Sequence, residues 1–174
     1  MVFFWKRKKK YPFIRQQSEE DCGAACLAMI SKAYGYPLSI SRARELVGVG
    51  QQGTTLLGIR RGAESRGFKT RAIKVTPQIL NQLERLPLPA IIHWRGYHWV
   101  VLYGKRGKHY IVADPGVGVR YISAQELLKS WHDGVMLLLE WDAEKAAPEA
   151  EEKAVGFSRF LKKVWPYRGV VLEI

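Results

Sequence analysis

The chain is poor in the features that mark several broad classes of protein. Two cysteines in 174 residues exclude a disulfide-stapled scaffold and leave a reduced, cytosolic protein as the default. No run of about 18 consecutive apolar residues occurs, so no membrane-spanning helix is expected within it. The opening MVFFWKRKKK lacks the apolar core and small-residue cleavage site of a secretory signal. No G-x-x-x-x-G-K-[ST] loop is present, which excludes ATP binding through such a loop. Acidic side chains are also scarce: 16 Asp plus Glu stand against 28 Lys plus Arg, for a formal charge of +12.

What remains is an ordinary globular balance, 47% hydrophobic with 11% aromatic residues, too apolar for a disordered chain and suited to one domain with extensions. The charge is unevenly placed. Lys6, Arg7, Lys8, Lys9, Lys10 and Arg15 carry half of the excess without an intervening acid, whereas bases and acids balance after Trp141. The bases bring neither a recognition helix nor an aromatic platform, so nucleic acid is not an expected partner and an anionic membrane surface is.

Four segments are expected: a basic tail over 1–10, a domain over 11–141, a linker over 142–156 and a basic amphipathic helix within 157–174. The linker is DAEKAAPEAEEKAVG, without aromatic residues. Beyond it Phe157, Phe160, Leu161, Val164 and Trp165 recur at helical spacing before Pro166, a pattern suited to a membrane surface or a partner. Inside the domain the periodicity is helical first and extended later. Asp21 is placed to cap a helix to about Tyr34, with Cys22, Cys26, Met29 and Ala33 facing inward. Ser41 opens a second helix to Val47, and Thr54 or Thr55 a third ending near Gly67. Phe68 to Val75 alternates as a strand, and Thr76 with Pro77 begins another helix. Strands follow at Pro89 to Trp94, His98 to Gly104 and Lys108 to Asp114, with turns at Arg95-Gly96 and Arg106-Gly107. Ser123 and Glu126 form a capping box for a helix to Trp131, and Val135 to Trp141 closes the domain as a strand. A helical half followed by an antiparallel meander is an α+β arrangement.

Chemistry concentrates in QQSEEDCGAACLAMI. Cys22 falls in the expected first turn of a helix, where backbone N–H groups and the helix dipole favour a thiolate, the nucleophilic form. Asp21 beside it opposes that ionisation, so a cationic histidine is needed as well. Gly23 removes a side chain beside the sulfur and leaves room for a peptide. If Arg106-Gly107 is a tight turn, His98 lies opposite Asp114 or its neighbour, on one sheet face. Asp114 would then orient the imidazole and stabilise its cation, leaving the other nitrogen for a thiol. A bulge would shift this register by one.

Around the Arg95-Gly96 turn His93 faces His98, so register does not exclude it. His109 pairs near Tyr103, far from Asp114, and His132 follows a helix end; none of the three has a carboxylate placed as Asp114 is. An oxyanion would be held by the Cys22 N–H and a side-chain amide just upstream, Gln16 or Gln17. Cys26 reads as packing, because C-x-x-x-C lacks the second ligand pair of a structural zinc site. Gly48, Gly50 and Gly53 spell G-x-G-x-x-G but precede no parallel strand unit, so they read as a loop.

Taken together, Gln16 with DCGAACLAMI, then HWVVLYG, then HYIVADPG resemble the papain-like peptidase domain at the N-terminus of bacteriocin-processing ABC exporters, family thirty-nine of the cysteine peptidases, over residues 11 to 141. The resemblance implies a papain-like fold with Cys22 as nucleophile, His98 as general base and acid, Asp114 orienting His98, and Gln16, rather than Gln17, in the oxyanion hole. It also implies cleavage of a leader peptide after Gly-Gly or Gly-Ala, and attachment to transmembrane and ATPase domains at the cytoplasmic side of a bacterial plasma membrane. No cofactor is expected in this chain; ATP would belong to the ATPase domain. FSRFLKKVWPYRGVVLEI resembles the elbow that precedes the first transmembrane helix of such exporters, so an excised domain is expected in preference to a free-standing peptidase. A docking domain that has lost its cysteine, a nucleic-acid binder and a papain-like acyl transferase are the competing readings. The presence of Cys22, His98, Asp114 and Gln16 together opposes the first.

Overall fold

The computed structural model describes residues 11–51 and 53–144. The expected basic tail, most of the linker and the amphipathic segment lie outside the described residues. Helices α1 (Cys22–Ala33), α2 (Ile40–Val47) and α3 (Leu56–Ser65) precede strand β1 (Phe68–Lys74). Then come β2 (Ala90–Trp94), β3 (His98–Arg106), β4 (His109–Asp114), β5 (Gly118–Ile122), α4 (Ala124–Ser130) and β6 (Val135–Trp141). Local chemistry sets most helix starts. Ser39, Thr55 and Ser123 each accept from the backbone N–H three residues on, Arg42, Gly58 and Glu126, at 3.1–3.2 Å, satisfying a donor that the helix leaves open. The second helix is therefore opened by Ser39 rather than Ser41.

Three other expectations change. Thr76 and Pro77 begin a 3-10 turn (Pro77–Asn81) and a second follows at Leu83–Arg85, not an α-helix. Strand β5 was not foreseen: it is short, and Gly118 and Arg120 interrupt its apolar alternation. Helix α1 is buried all round from Cys22 to Ser31, not along one stripe, because it lies between α2 and α3 on one side and the sheet on the other. Its run of Gly, Ala and Cys lets those neighbours approach.

The antiparallel sheet has the order β1-β6-β2-β3-β4-β5. Ile91, Trp99, Val101, Ala113, Leu137 and Leu139 face α1 and the helical lobe. Ile92, Val100, Leu102, Val112, Met136 and Leu138 pack on the opposite face with Leu127 and Trp131 of the α4 region. Covering both faces explains why AIIHW, HWVVL and VMLLL read as continuous apolar runs. Asp142, expected as the first linker residue, is 7% exposed. Its N–H donates to Gly67 O at 2.9 Å and its carboxylate lies 3.1 Å from Lys69 Nζ.

Register positions the site. The β3–β4 turn is Gly107-Lys108, one residue later than expected, with Gly107 at φ 60°, as a type II′ turn requires. Next to the turn Arg106 pairs with His109 and Gly104 with Ile111; after a bulge at Tyr103, Leu102 pairs with Val112 and Val101 with Ala113. Without the bulge Asp114 would stand opposite Val101, on the face away from His98. The extra residue moves it opposite Val100, one diagonal step from His98 on the same face.

Candidate active site

Cys22 begins α1 and is 4% exposed. A 3-10 turn, Glu19–Asp21, leads directly into it, so the chain is already helical before the cysteine. Asp21 occupies the cap position without a side-chain bond to the helix; its carboxylate turns back to accept the Ser18 N–H at 3.1 Å and lies 3.2 Å from Arg44 Nε. Gly23 has a role other than the expected one. A Cβ there would sit 2.8 Å from Thr54 Cβ and 2.9 Å from Ile59 Cδ1, so the glycine admits Thr54 and α3 rather than a peptide. Replacing glycine by alanine in a helix ordinarily gains up to about 1 kcal/mol, but overpacking against buried neighbours costs more. Gly23→Ala is expected to lower the unfolding free energy by about 1–3 kcal/mol in urea titration; unchanged stability would return Gly23 to the substrate side.

His98, the first residue of β3, and Asp114, the last of β4, meet with Nε2 donating to Oδ1 at 2.9 Å. The same oxygen accepts the Gly116 N–H at 2.9 Å. The remaining nitrogen, Nδ1, is not used by Asp114, and the Cys22 side chain acts on the same ring. Burial alone would push the imidazole down, but the hydrogen bonds and charges of Asp114 and Cys22 outweigh it and raise His98 to about 9. Burial would push the Asp114 carboxyl up, yet the His98 bond and charge, with the Gly116 and Val117 N–H groups, hold it below its ordinary value. The pair is thus poised as imidazolium and carboxylate at neutral pH.

The two glutamines separate clearly. Gln17 is exposed, whereas Gln16 lines one cleft with Trp94, Tyr97, His98, Asp114 and Gly116. Its backbone N–H donates to Pro115 O at 3.1 Å, stitching it to the turn after Asp114, and its Oε1 is buried without a hydrogen-bond partner among the described residues. This cleft has a volume of about 340 Å³. A second depression of about 270 Å³ is lined by Cys22, Gln51, Gly53 and Thr54, and both share Glu19 and Tyr97. Tyr97, 76% exposed, was not singled out from the sequence; its place in the turn immediately before His98 was the available signal.

The other histidines do not join the site. The β2–β3 turn holds one residue more than expected, so His93 pairs with Trp99 and Trp94 with His98, which puts His93 on the opposite face. It does have a carboxylate partner, contrary to expectation: its Nδ1 bonds Asp133. His109 pairs with Arg106 rather than near Tyr103, and His132 is exposed. Cys26 is fully buried, and no metal-binding cluster occurs among the described residues. Gly50 and Gly53 exchange backbone hydrogen bonds at 3.0–3.2 Å, closing a tight loop beside Cys22.

Residues 10–144 match the model of the peptidase C39 family. The chain belongs to that family. Its fold agrees with solved C39 domains. The peptidase domain of Streptococcus ComA, described as a bifunctional ABC transporter in quorum sensing, superposes with a TM-score of 0.70 at 36% identity, covering 76% of this chain and 99% of that one. A double-glycine motif protease from an AMS/PCAT transporter, solved with its leader peptide, gives 0.69 at 30% identity over 75% of this chain and 91% of that one. Among full-length relatives, the colicin V secretion/processing ATP-binding protein of Escherichia coli is 31% identical over 98% of this chain but only 23% of its own length. This C39 chain therefore spans about a quarter of that relative. No helix among its described residues is long and apolar enough to cross a membrane.

Proposed function

We propose that this C39 chain is a cysteine endopeptidase that removes a double-glycine-type leader from a precursor peptide, ahead of export by an ABC transporter to which it belongs. The observation that carries this reading is the meeting of Cys22, at a helix start, with a His98 imidazole held cationic by Asp114. Gln16 lines the cleft of His98 and Asp114, and Cys22 lines the depression that adjoins it through Glu19 and Tyr97. The Cys22 thiolate attacks the carbonyl of the second small residue, and the Cys22 N–H and Gln16 amide hold the developing oxyanion. His98 protonates the departing amine, then takes a proton from water as it hydrolyses the acyl-enzyme. Two residues with little or no side chain would lie beside Tyr97 and Trp94, which line the cleft. In the full transporter the domain works at the cytoplasmic face of the membrane, and ATP serves an ATPase part elsewhere.

Incubation with a synthetic precursor carrying Gly-Gly before the scissile bond is expected to release the leader. Iodoacetamide is expected to abolish release by labelling Cys22 and not Cys26, whose thiol is fully buried and pushed well up by that burial. Cleavage that survives alkylation overturns the reading, and binding without cleavage assigns the chain a docking role instead.

A further inference from the structure

Asp21 has no part in the mechanism above, yet it directly precedes Cys22 and is 0% exposed. A buried carboxylate on the residue next to a cysteine opposes conversion of its thiol to an anion. The carboxylate does not cap α1 but helps cap the Glu19–Asp21 turn that precedes it. Its Oδ2 accepts the Ser18 N–H, and Arg44 reaches it from α2 with Nε 3.2 Å from Oδ1 and Nη1 3.4 Å from Oδ2. We propose that Arg44 is a positioning residue for Cys22, neutralising the buried Asp21 charge that would otherwise oppose thiolate formation at the start of α1. The inference rests on Cys22 being the nucleophile.

The charged groups around the sulfur make this specific. The turn before it carries Glu19, Glu20 and Asp21, with Glu20 also within the field of Arg44. His98 comes from β3, Asp114 from β4 and Cys26 from the next turn of α1, while Thr54 and Ile59 on the α3 side are uncharged. Each buried carboxylate has its own cation: Asp114 has His98 and Asp21 has Arg44. Without Arg44, the Asp21 charge acts on the Cys22–His98 couple.

The test follows the rate of Cys22 alkylation by iodoacetamide against pH in the whole chain, with the labelled residue identified by peptide mapping. Arg44→Gln is expected to move the half-maximal pH up by about one unit, a tenfold loss of thiolate on the rising limb. Arg44→Lys is expected to recover most of that shift, and Asp21→Asn combined with Arg44→Gln to restore the original profile. A bracing role would reduce stability without moving the profile, and an unmoved profile in Arg44→Gln, or no restoration in the double variant, overturns the proposal. Should Arg44→Gln fail to fold, Asp21→Asn alone keeps an acceptor for Ser18 and is expected to move the half-maximal pH down; no movement there overturns it equally. Because alkylation is read on Cys22 itself, failure of the nucleophile assignment would appear separately, as cleavage retained by Cys22→Ala.

Discussion

Cys22→Ala is expected to reduce kcat/KM for a Gly-Gly precursor by at least about 10⁴-fold, because it removes the sulfur proposed to form the acyl-enzyme. Binding of the leader, measured as Kd, is expected to stay within about threefold. The basis is local: Cys22 contributes one small, nearly buried side chain, while Gln16, Trp94 and Tyr97 line the cleft independently of it. The effects of residues that act as a unit are strongly non-additive, so His98→Ala added to Cys22→Ala should lower the residual rate little further. Turnover near the native rate in Cys22→Ala would end the nucleophile assignment. A matching loss of leader binding would show that the cysteine holds the cleft open rather than reacting in it.

Asp114→Asn is expected to lower turnover by about 10²–10⁴-fold, since an asparagine can still accept a bond from His98 but cannot stabilise its charge. Its pH signature is more discriminating than its size. In the native protein His98 is raised to about 9, so the imidazolium persists through neutral pH and is lost as pH rises through that value. The alkaline limb of the rate profile should therefore fall near 9. With the Asp114 charge removed, His98 loses its proton at lower pH and the alkaline limb moves down toward the ordinary imidazole range. An alkaline limb that stays in place would mean that Asp114 does not set the His98 proton.

Much of this was legible in the residues themselves. The caps at Thr55 and Ser123 and the last strand, Val135–Trp141, follow from local chemistry, and local chemistry is what a sequence states directly. What was less legible depended on counting across turns. One extra residue in the β2–β3 turn sends His93 to the other face, and hydrophobic periodicity carries no record of turn length. The Asp133 partner of His93 comes from the segment after α4, 40 positions away, beyond any local pattern. Gly23 was misread because a glycine beside a candidate nucleophile looks like space for substrate; only the approach of Thr54 and Ile59 reveals what fills that space.

The bulge at Tyr103 has a consequence for how this hairpin can change. Whether Asp114 faces His98 depends on whether the number of residues between them is odd or even, as much as on the two side chains. A single insertion or deletion between them that shifts the pairing by one would put every catalytic atom type in the chain and still leave the imidazole without its carboxylate. Paired changes, or one change compensated by a second bulge, keep the two together. The hairpin is therefore open to drift in composition and closed to uncompensated single steps in length, and a relative with intact Cys, His and Asp but an odd length difference there needs a compensating bulge to bring the imidazole and carboxylate together.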